Sequence, residues 1–488
     1  MSIAKDAADR IASLDAVGQA EAVRRGDISP LDLVEAAIAR IEKCEGLIGA
    51  LVHQRFDSAC AEAARMPGDR PFAGVPILLK DSLRATQLGI PHFAGNRVLK
   101  ESPLVATEDT FLGRCLRDAG FITLGVSKTP ELAWFTTTQP VAFGPTRNPW
   151  ALDRSVGGSS GGAAAAVAAG MVPVAHGTET GGSIRIPASF CGVVGMKPTR
   201  GLVPCAEPNL NHSMHQFVLC RTIRDAAALL DLVGGGDPRA LYWSPSTRRY
   251  ARAAAEATDF PRLRVGVARR MGGVEAHIDC QRALDATIPL LEELGCKVID
   301  GVVPSLDQED DATSALLLRA SGMRAFQGLE KIVGRPLSPD DVEPFIWSVG
   351  HPKDPVVTAL EYLGAIERRR AWAVEVMNCW NDFDLLLSPT VCEPPLTLQS
   401  HAEETPDETL VTVTRQMAFA GPFNQTGQPA ISLPLYWRND GLPIGVQLVA
   451  DMGKDDLLLA VASRLETLKP WKVRWPMVCM DEAHKITK

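Results

Sequence analysis

Two serines, Ser159 and Ser183, each follow a Gly-Gly pair and lie 24 residues apart. The run from Val156 to Thr199 carries both: Val-Gly-Gly-Ser-Ser-Gly-Gly, an Ala-rich segment, then His-Gly-Thr-Glu-Thr-Gly-Gly-Ser-Ile-Arg-Ile-Pro-Ala. Glycine has no Cβ, so consecutive backbone amides can approach a ligand and point at it together. A hydroxyl set among such amides is suited to acyl transfer, as a nucleophile beside donors for a developing oxyanion. Taken alone, Gly-Gly-Ser is an ordinary turn, and Ser159 or Ser160 could simply cap a helix. A base would complete the chemistry, and Lys80 stands at the end of the apolar run Val75–Leu79. Burial there would disfavour the ammonium form, and only the neutral amine can accept a proton. The bland alternative is a strand-end lysine reaching solvent.

Two competing readings use the same residues. Gly157-Gly158-Ser159-Ser160-Gly161 fits the G-x-S-x-G elbow, which would make Ser159 the nucleophile of an α/β-hydrolase-type esterase with a distant Asp and His. That elbow needs a strand immediately before it, whereas Asn148–Arg154 reads as a loop. His176 reads as support for the loop. A phosphate cradle over Gly157–Gly162 is weaker, because no Gly-Lys-Ser/Thr follows.

The elements that must position these residues alternate. Ser29 caps a helix over residues 29–43, with Pro30 at its first position, Asp32 completing the cap, and Val34, Ala37, Ile38 and Ile41 on one face. Val75–Leu79 reads as a buried strand. A helix over Thr107–Ala119, with Glu108 and Asp109 in its first turn and Gly120 as its stop, leads to a strand over Phe121–Leu124. Leu263–Val267, Ile278–Leu294 and Lys297–Val303 repeat the strand-helix-strand pattern, with Gly295 ending the helix. Further strands are predicted over Leu385–Leu387, Ala430–Leu433 and Ile444–Val449, the last two joined by an Asn439-Asp440-Gly441 hairpin turn. Asp455–Leu468 is a closing helix. This alternation predicts an α/β layer fold. Residues 305–360 are more polar, with irregular prolines, and read as a helical insertion within a single domain spanning residues 1–488.

The bulk numbers exclude several classes. The 488 residues are 46% hydrophobic and 22% charged, with net charge -8. That composition supports a large core and lacks the basic footprint of nucleic-acid binding. The most apolar window, Gly161–Gly177, is short and interrupted by Pro173, so no membrane span is predicted. Met1–Lys43 is charged throughout and does not read as a secretory signal. Eleven cysteines without a Cys-x-x-Cys predict free thiols in a reducing cytoplasm. No His/Cys spacing suggests zinc.

The Val156–Thr199 run resembles the signature of the amidase signature family of serine hydrolases. Gly74-Val75-Pro76-Ile77-Leu78-Leu79-Lys80-Asp81 is similar to that family's lysine motif, and Gly192–Thr199, Pro422–Pro434 and Gly441–Gln447 also look like family elements. The likeness runs from about Val75 to Val449. It implies an α/β fold with a large mixed β-sheet flanked by helices and a helical insertion. It also implies Ser183 as nucleophile, Ser159 as a bridging serine in a cis peptide bond, and Lys80 as base. The oxyanion hole would be the amides of Thr180, Gly181, Gly182 and Ser183, with Gly158, Ser160 and Arg185 in support. No metal or organic cofactor is implied. Glu179 departs from the family's aspartate, which puts the hydrogen bonding of the nucleophile loop in question.

Asn148-Pro149-Trp150, Arg154-Ser155-Val156, Lys197–Gly201 and Gly334-Arg335-Pro336-Leu337 resemble the bacterial branch that includes nylon-oligomer (6-aminohexanoate cyclic dimer) hydrolase. This implies a small hydrophobic amide, linear, cyclic or aryl, with esters and carbamates open to the same route. Trp134, Phe135, Phe143, Phe326 and Trp347 are candidate pocket walls, although such residues are more often ordinary core than pocket. Two other readings stand beside this one. One is the glutamine-hydrolysing component of an amidotransferase, working with partner chains. The other is a scaffold without catalysis, against which the intact Lys80, Ser159 and Ser183 argue. A homodimer is the expected self-assembly.

Overall fold

The computed structural model describes residues 10–478 except 83–85, 206–212, 238–239, 241, 247–248, 257–259, 261, 303–310, 352–355, 402 and 477. Eleven strands form one mixed sheet: β1 (Leu51–Gln54), β2 (Pro76–Lys80), β3 (Ile122–Ser127), β4 (Val174–Glu179), β5 (Val194–Lys197), β6 (His215–Cys220), β7 (Arg264–Val267), β8 (Lys297–Asp300), β9 (Leu385–Pro389), β10 (Ala430–Trp437) and β11 (Pro443–Ala450). Their order across the sheet is β1-β3-β2-β4-β6-β5-β10-β11-β9-β7-β8. β2 runs parallel to both β3 and β4, so Lys80 and the segment after Glu179 emerge at the same edge. Helices cover both faces, and nearly every residue of β2 to β6 is buried.

Much of the expected order is present. Ser29 and Asp32 form a full capping box on the helix Pro30–Ile48, which runs five residues beyond the predicted end. The helix Ile278–Glu293 joins the parallel strands β7 and β8. β10 and β11 pair antiparallel around the 439–441 turn, where Gly441 takes φ 84°.

Several boundaries differ from expectation. The helix expected over Thr107–Ala119 spans Phe111–Asp118 and is capped by Thr110. Asp109 precedes it and instead accepts a hydrogen bond from the Leu88 amide, 2.8 Å away. β3 runs to Ser127 rather than Leu124, and β8 ends at Asp300; Val303 lies outside the described residues. Where a helical insertion is expected over residues 305–360, the structure has helices Asp311–Val333, Pro344–Gly350 and Ala359–Asn378, the last extending past residue 360; residues 305–310 and 352–355 lie outside the described residues.

Asn148–Arg154 is not a loop. Arg147–Asn148 and Ala151–Ser155 form a small hairpin outside the main sheet. The central strands β4, β5 and β6 carry no period-2 signal, because each is buried on both faces.

Candidate active site

Lys80 closes β2, and its side chain is wholly buried. Its Nζ lies 2.6 Å from Ser159 Oγ, 3.0 Å from Ser160 Oγ and 2.8 Å from Thr178 Oγ1. Three hydroxyls therefore surround one nitrogen. Burial lowers the Lys80 amine to about 7, against the opposing pull of Glu179 and Asp81. At neutral pH a large fraction is uncharged and able to accept a proton.

Ser159 and Ser160 precede the helix Gly161–Ala168, whose small side chains are all buried. Ser160 occupies the cap position but makes no side-chain cap bond. Its hydroxyl instead donates to the Thr178 carbonyl oxygen at 3.2 Å and faces Lys80. The Gly158–Ser159 peptide bond is cis. A cradle formed by residues 129–138 wraps this turn: Thr129 Oγ1 donates to Ser159 O at 3.0 Å, and Thr138 Oγ1 donates to Gly157 O at 2.8 Å. Gly158 is required by close approach, since a Cβ would stand 2.7 Å from both Phe135 O and Thr137 N.

Ser183 lies in the turn between β4 and the helix Arg185–Cys191 and is half-buried, whereas Ser159 is 1% exposed. Among the described residues, no acceptor of the chain occupies the amides of Gly181, Gly182 or Ser183. Gly182 takes φ 131°, and a Cβ there would meet Ile186 Cδ1 at 2.7 Å. Ser160 N donates to Ser183 O at 3.1 Å, which joins the two serine turns.

Glu179 holds the turn that carries Ser183. One carboxylate oxygen accepts the Ile184 and Arg185 amides at 3.0 and 3.1 Å, and the other accepts Arg185 Nε at 2.7 Å and also Nη2. Burial would raise this carboxyl, but Arg185 and Lys197 more than offset it and hold it below its ordinary value. The longer side chain thus makes a complete set of loop hydrogen bonds. Arg185 is itself wholly buried and donates to Asn424 Oδ1, Ala420 O and Gln447 Oε1. Thr178, Thr129, Asn424 and Gln447 are not singled out by sequence reasoning. The last two lie in C-terminal segments marked by their motifs, but nothing in those motifs indicates that they grip Arg185.

The remaining candidates divide. His176 is buried, its Nδ1 faces the Lys80 backbone amide at 3.4 Å, and burial lowers it to about 3. It is a poor base, and its ring meets the backbone of β2. The elbow reading fails on geometry: the preceding strand is outside the main sheet, and Ser159 is buried rather than presented. Trp134, Phe135, Phe326 and Trp347 come together in an apolar cluster with Phe345. Phe135 packs on Phe345 with ring centroids 5.1 Å apart, while Phe326, 2% exposed, forms the inner core of the cluster. Phe143 stands apart, against Phe93 and beneath Lys100.

Residues 32–459 match the Amidase family model. The chain belongs to the amidase family. This amidase is 39% identical to 6-aminohexanoate-cyclic-dimer hydrolases from Pseudomonas sp. (strain NK87) and Paenarthrobacter ureafaciens, each over 97% of this chain and 98% of the relative. A solved structure of 6-aminohexanoate cyclic dimer hydrolase complexed with substrate superposes with TM-score 0.90, at 37% identity over 96% of this chain and 100% of that one. A bacterial aryl acylamidase of the amidase signature family superposes with TM-score 0.86 at 27% identity, over 96% of this chain and 99% of that one. The amidase is accordingly a hydrolase of carbon–nitrogen amide bonds. No helix among the described residues is long and apolar enough to cross a membrane.

Proposed function

We propose that this amidase cleaves a small hydrophobic amide through an acyl-enzyme on Ser183. The observation that carries the reading is the buried Lys80 amine, 2.6 Å from Ser159 Oγ, beside the turn bearing the more exposed Ser183. Ser183 Oγ attacks the carbonyl carbon while its proton passes to Ser159 and that of Ser159 passes to Lys80. The C–O bond forms, and the carbonyl oxygen takes up the electron pair. The amides of Thr180, Gly181, Gly182 and Ser183 receive this oxyanion; losing one such donor costs about 2.7–4 kcal/mol of barrier. Collapse breaks the C–N bond, and the proton returns from Lys80 to the leaving amine. Water then repeats the sequence to release the acid.

The substrate reading rests on the apolar wall of Trp134, Phe135 and Phe345 and on the relatives. Their names point to a cyclic dimer of 6-aminohexanoate and to aryl amides. The amidotransferase reading is less supported: the glutamyl-tRNA(Gln) amidotransferase chain solved from Thermotoga maritima is 25% identical with TM-score 0.75. Cys60, Cys191, Cys220, Cys280, Cys296 and Cys392 are free thiols, in keeping with a cytoplasmic enzyme.

The test is hydrolysis of 6-aminohexanoate cyclic dimer, aliphatic anilides and glutamine by wild type and Ser183→Ala. Turnover of a hydrophobic amide by wild type alone supports the reading. Turnover confined to glutamine, or retained in Ser183→Ala, overturns it.

A further inference from the structure

Glu131 is buried, charged in type, and unused by the chemistry above. It lies in the cradle that wraps the Ser159 turn, two residues after Thr129. Its Oε1 accepts Asn96 Nδ2 at 2.5 Å, and its Oε2 accepts the Glu343 amide at 2.6 Å. Glu343 is the cap residue of the insertion helix Pro344–Gly350. One carboxylate therefore ties the cradle to the helix that carries Phe345 and Trp347.

The polarity of this clasp is fixed from outside. Asn96 Oδ1 accepts the Val98 and Leu99 amides at 2.9 and 3.1 Å, and Nδ2 also donates to Asp341 O at 2.9 Å. The Asn96 amide cannot turn over without losing all three bonds. A backbone amide is likewise only a donor. Residue 131 must therefore present two acceptors, which a carboxylate does and a carboxamide does not. Around the clasp, Ala94, Leu99, Leu132, Trp134, Phe135 and Phe345 share one apolar cluster. The cradle keeps its own bonds to the Ser159 turn through Thr129 and Thr138, so loss of the clasp would release the insertion wall and spare the serines.

We propose that Glu131, with Asn96, is a positioning residue that sets acyl-chain selectivity by holding the insertion wall against the Ser159 cradle. This inference rests on the acyl-enzyme reading above. Burial, with Glu343 adding to it, pushes the Glu131 carboxyl up to about 8, so the contrast between carboxylate and carboxamide is read at pH 9.

The experiment compares wild type, Glu131→Gln and the pair Asn96→Asp with Glu131→Gln, on the p-nitroanilides of acetate and hexanoate. Ethyl fluorophosphonate labelling of Ser183 is followed in parallel. For Glu131→Gln the expected result is a fall of about tenfold or more in kcat/KM on the hexanoyl substrate, mainly through KM. The acetyl substrate and the labelling rate should stay within about threefold. The pair restores a donor–acceptor match between residues 96 and 131, while giving up the bond to Asp341 O, and should recover part of the loss. Equal losses on both substrates, or no loss on either, overturn the proposal. Wild type that fails to label would instead remove the acyl-enzyme reading itself. If Glu131→Gln does not fold, recovery of folding in the pair supports the clasp, and failure of the pair to fold overturns it.

Discussion

The Ser160 amide donates to the Ser183 carbonyl oxygen at 3.1 Å. This backbone bond joins two glycine-rich turns. One turn begins the helix Gly161–Ala168 and buries Ser159 against Lys80. The other follows Glu179 and leaves Ser183 half-exposed beside unoccupied amides. A buried amine and a half-exposed hydroxyl are thereby fixed relative to each other by backbone.

The pH dependence follows from Lys80. With its amine lowered to about 7, the competent neutral form accumulates as pH rises through that value. kcat/KM should climb about tenfold per unit below pH 7 and level off above it. A profile that is flat from pH 5 to 9 would contradict this assignment of the base.

Removing the same amine should affect stability in the opposite direction to activity. In the unfolded chain a lysine holds its proton up to about pH 10.4, whereas in the fold Lys80 releases it above about 7. Between those values the unfolded state binds more protons, so the buried lysine destabilises the fold, and the penalty disappears as pH approaches the unfolded value. Lys80→Met should abolish turnover yet melt above wild type at pH 7, with the gap narrowing towards pH 10. A lower Tm at pH 7 would show that the three hydroxyl contacts outweigh the desolvation cost.

The turn that carries Ser183 depends on Gly182. A Cβ there would collide with Ile186 and Ala420, at a φ of 131° that side chains rarely adopt. Gly182→Ala should lower kcat by about 10²–10³, the scale of losing an oxyanion donor, with the fold retained by circular dichroism. Unchanged kcat would mean that the turn does not serve the oxyanion.

Glu179 and Arg185 form a wholly buried ion pair. Glu179→Gln leaves the guanidinium uncompensated and should cost about 3–5 kcal/mol in urea unfolding. Glu179→Asp keeps the charge and should cost less, while lowering kcat because the Ile184 and Arg185 amides lose their acceptor distance. Equal destabilisation by both would show that length, not charge, governs the turn.

The sequence carries the site more legibly than the sheet around it. Ser159, Ser183 and Lys80 are marked by glycines and by an apolar run whose purpose is local, so their types and spacing survive in the linear chain. Helix Pro30–Ile48 is equally explicit, because its cap is written in consecutive residues. Strands β4 to β6 are not, because a strand buried on both faces has no polar side to alternate with. The grip of Asn424 and Gln447 on Arg185 spans 239 and 262 residues, and no local pattern encodes such a contact. The Glu131 clasp is hidden for the same reason: Glu343 lies 212 residues away.

The most direct measurement is intact mass after treatment with a serine-directed fluorophosphonate, with peptide mapping, on wild type and Ser183→Ala. One adduct is expected on wild type, mapped to Ser183 and absent from the variant. An adduct on Ser159, or none on folded wild type, would contradict Ser183 as the nucleophile.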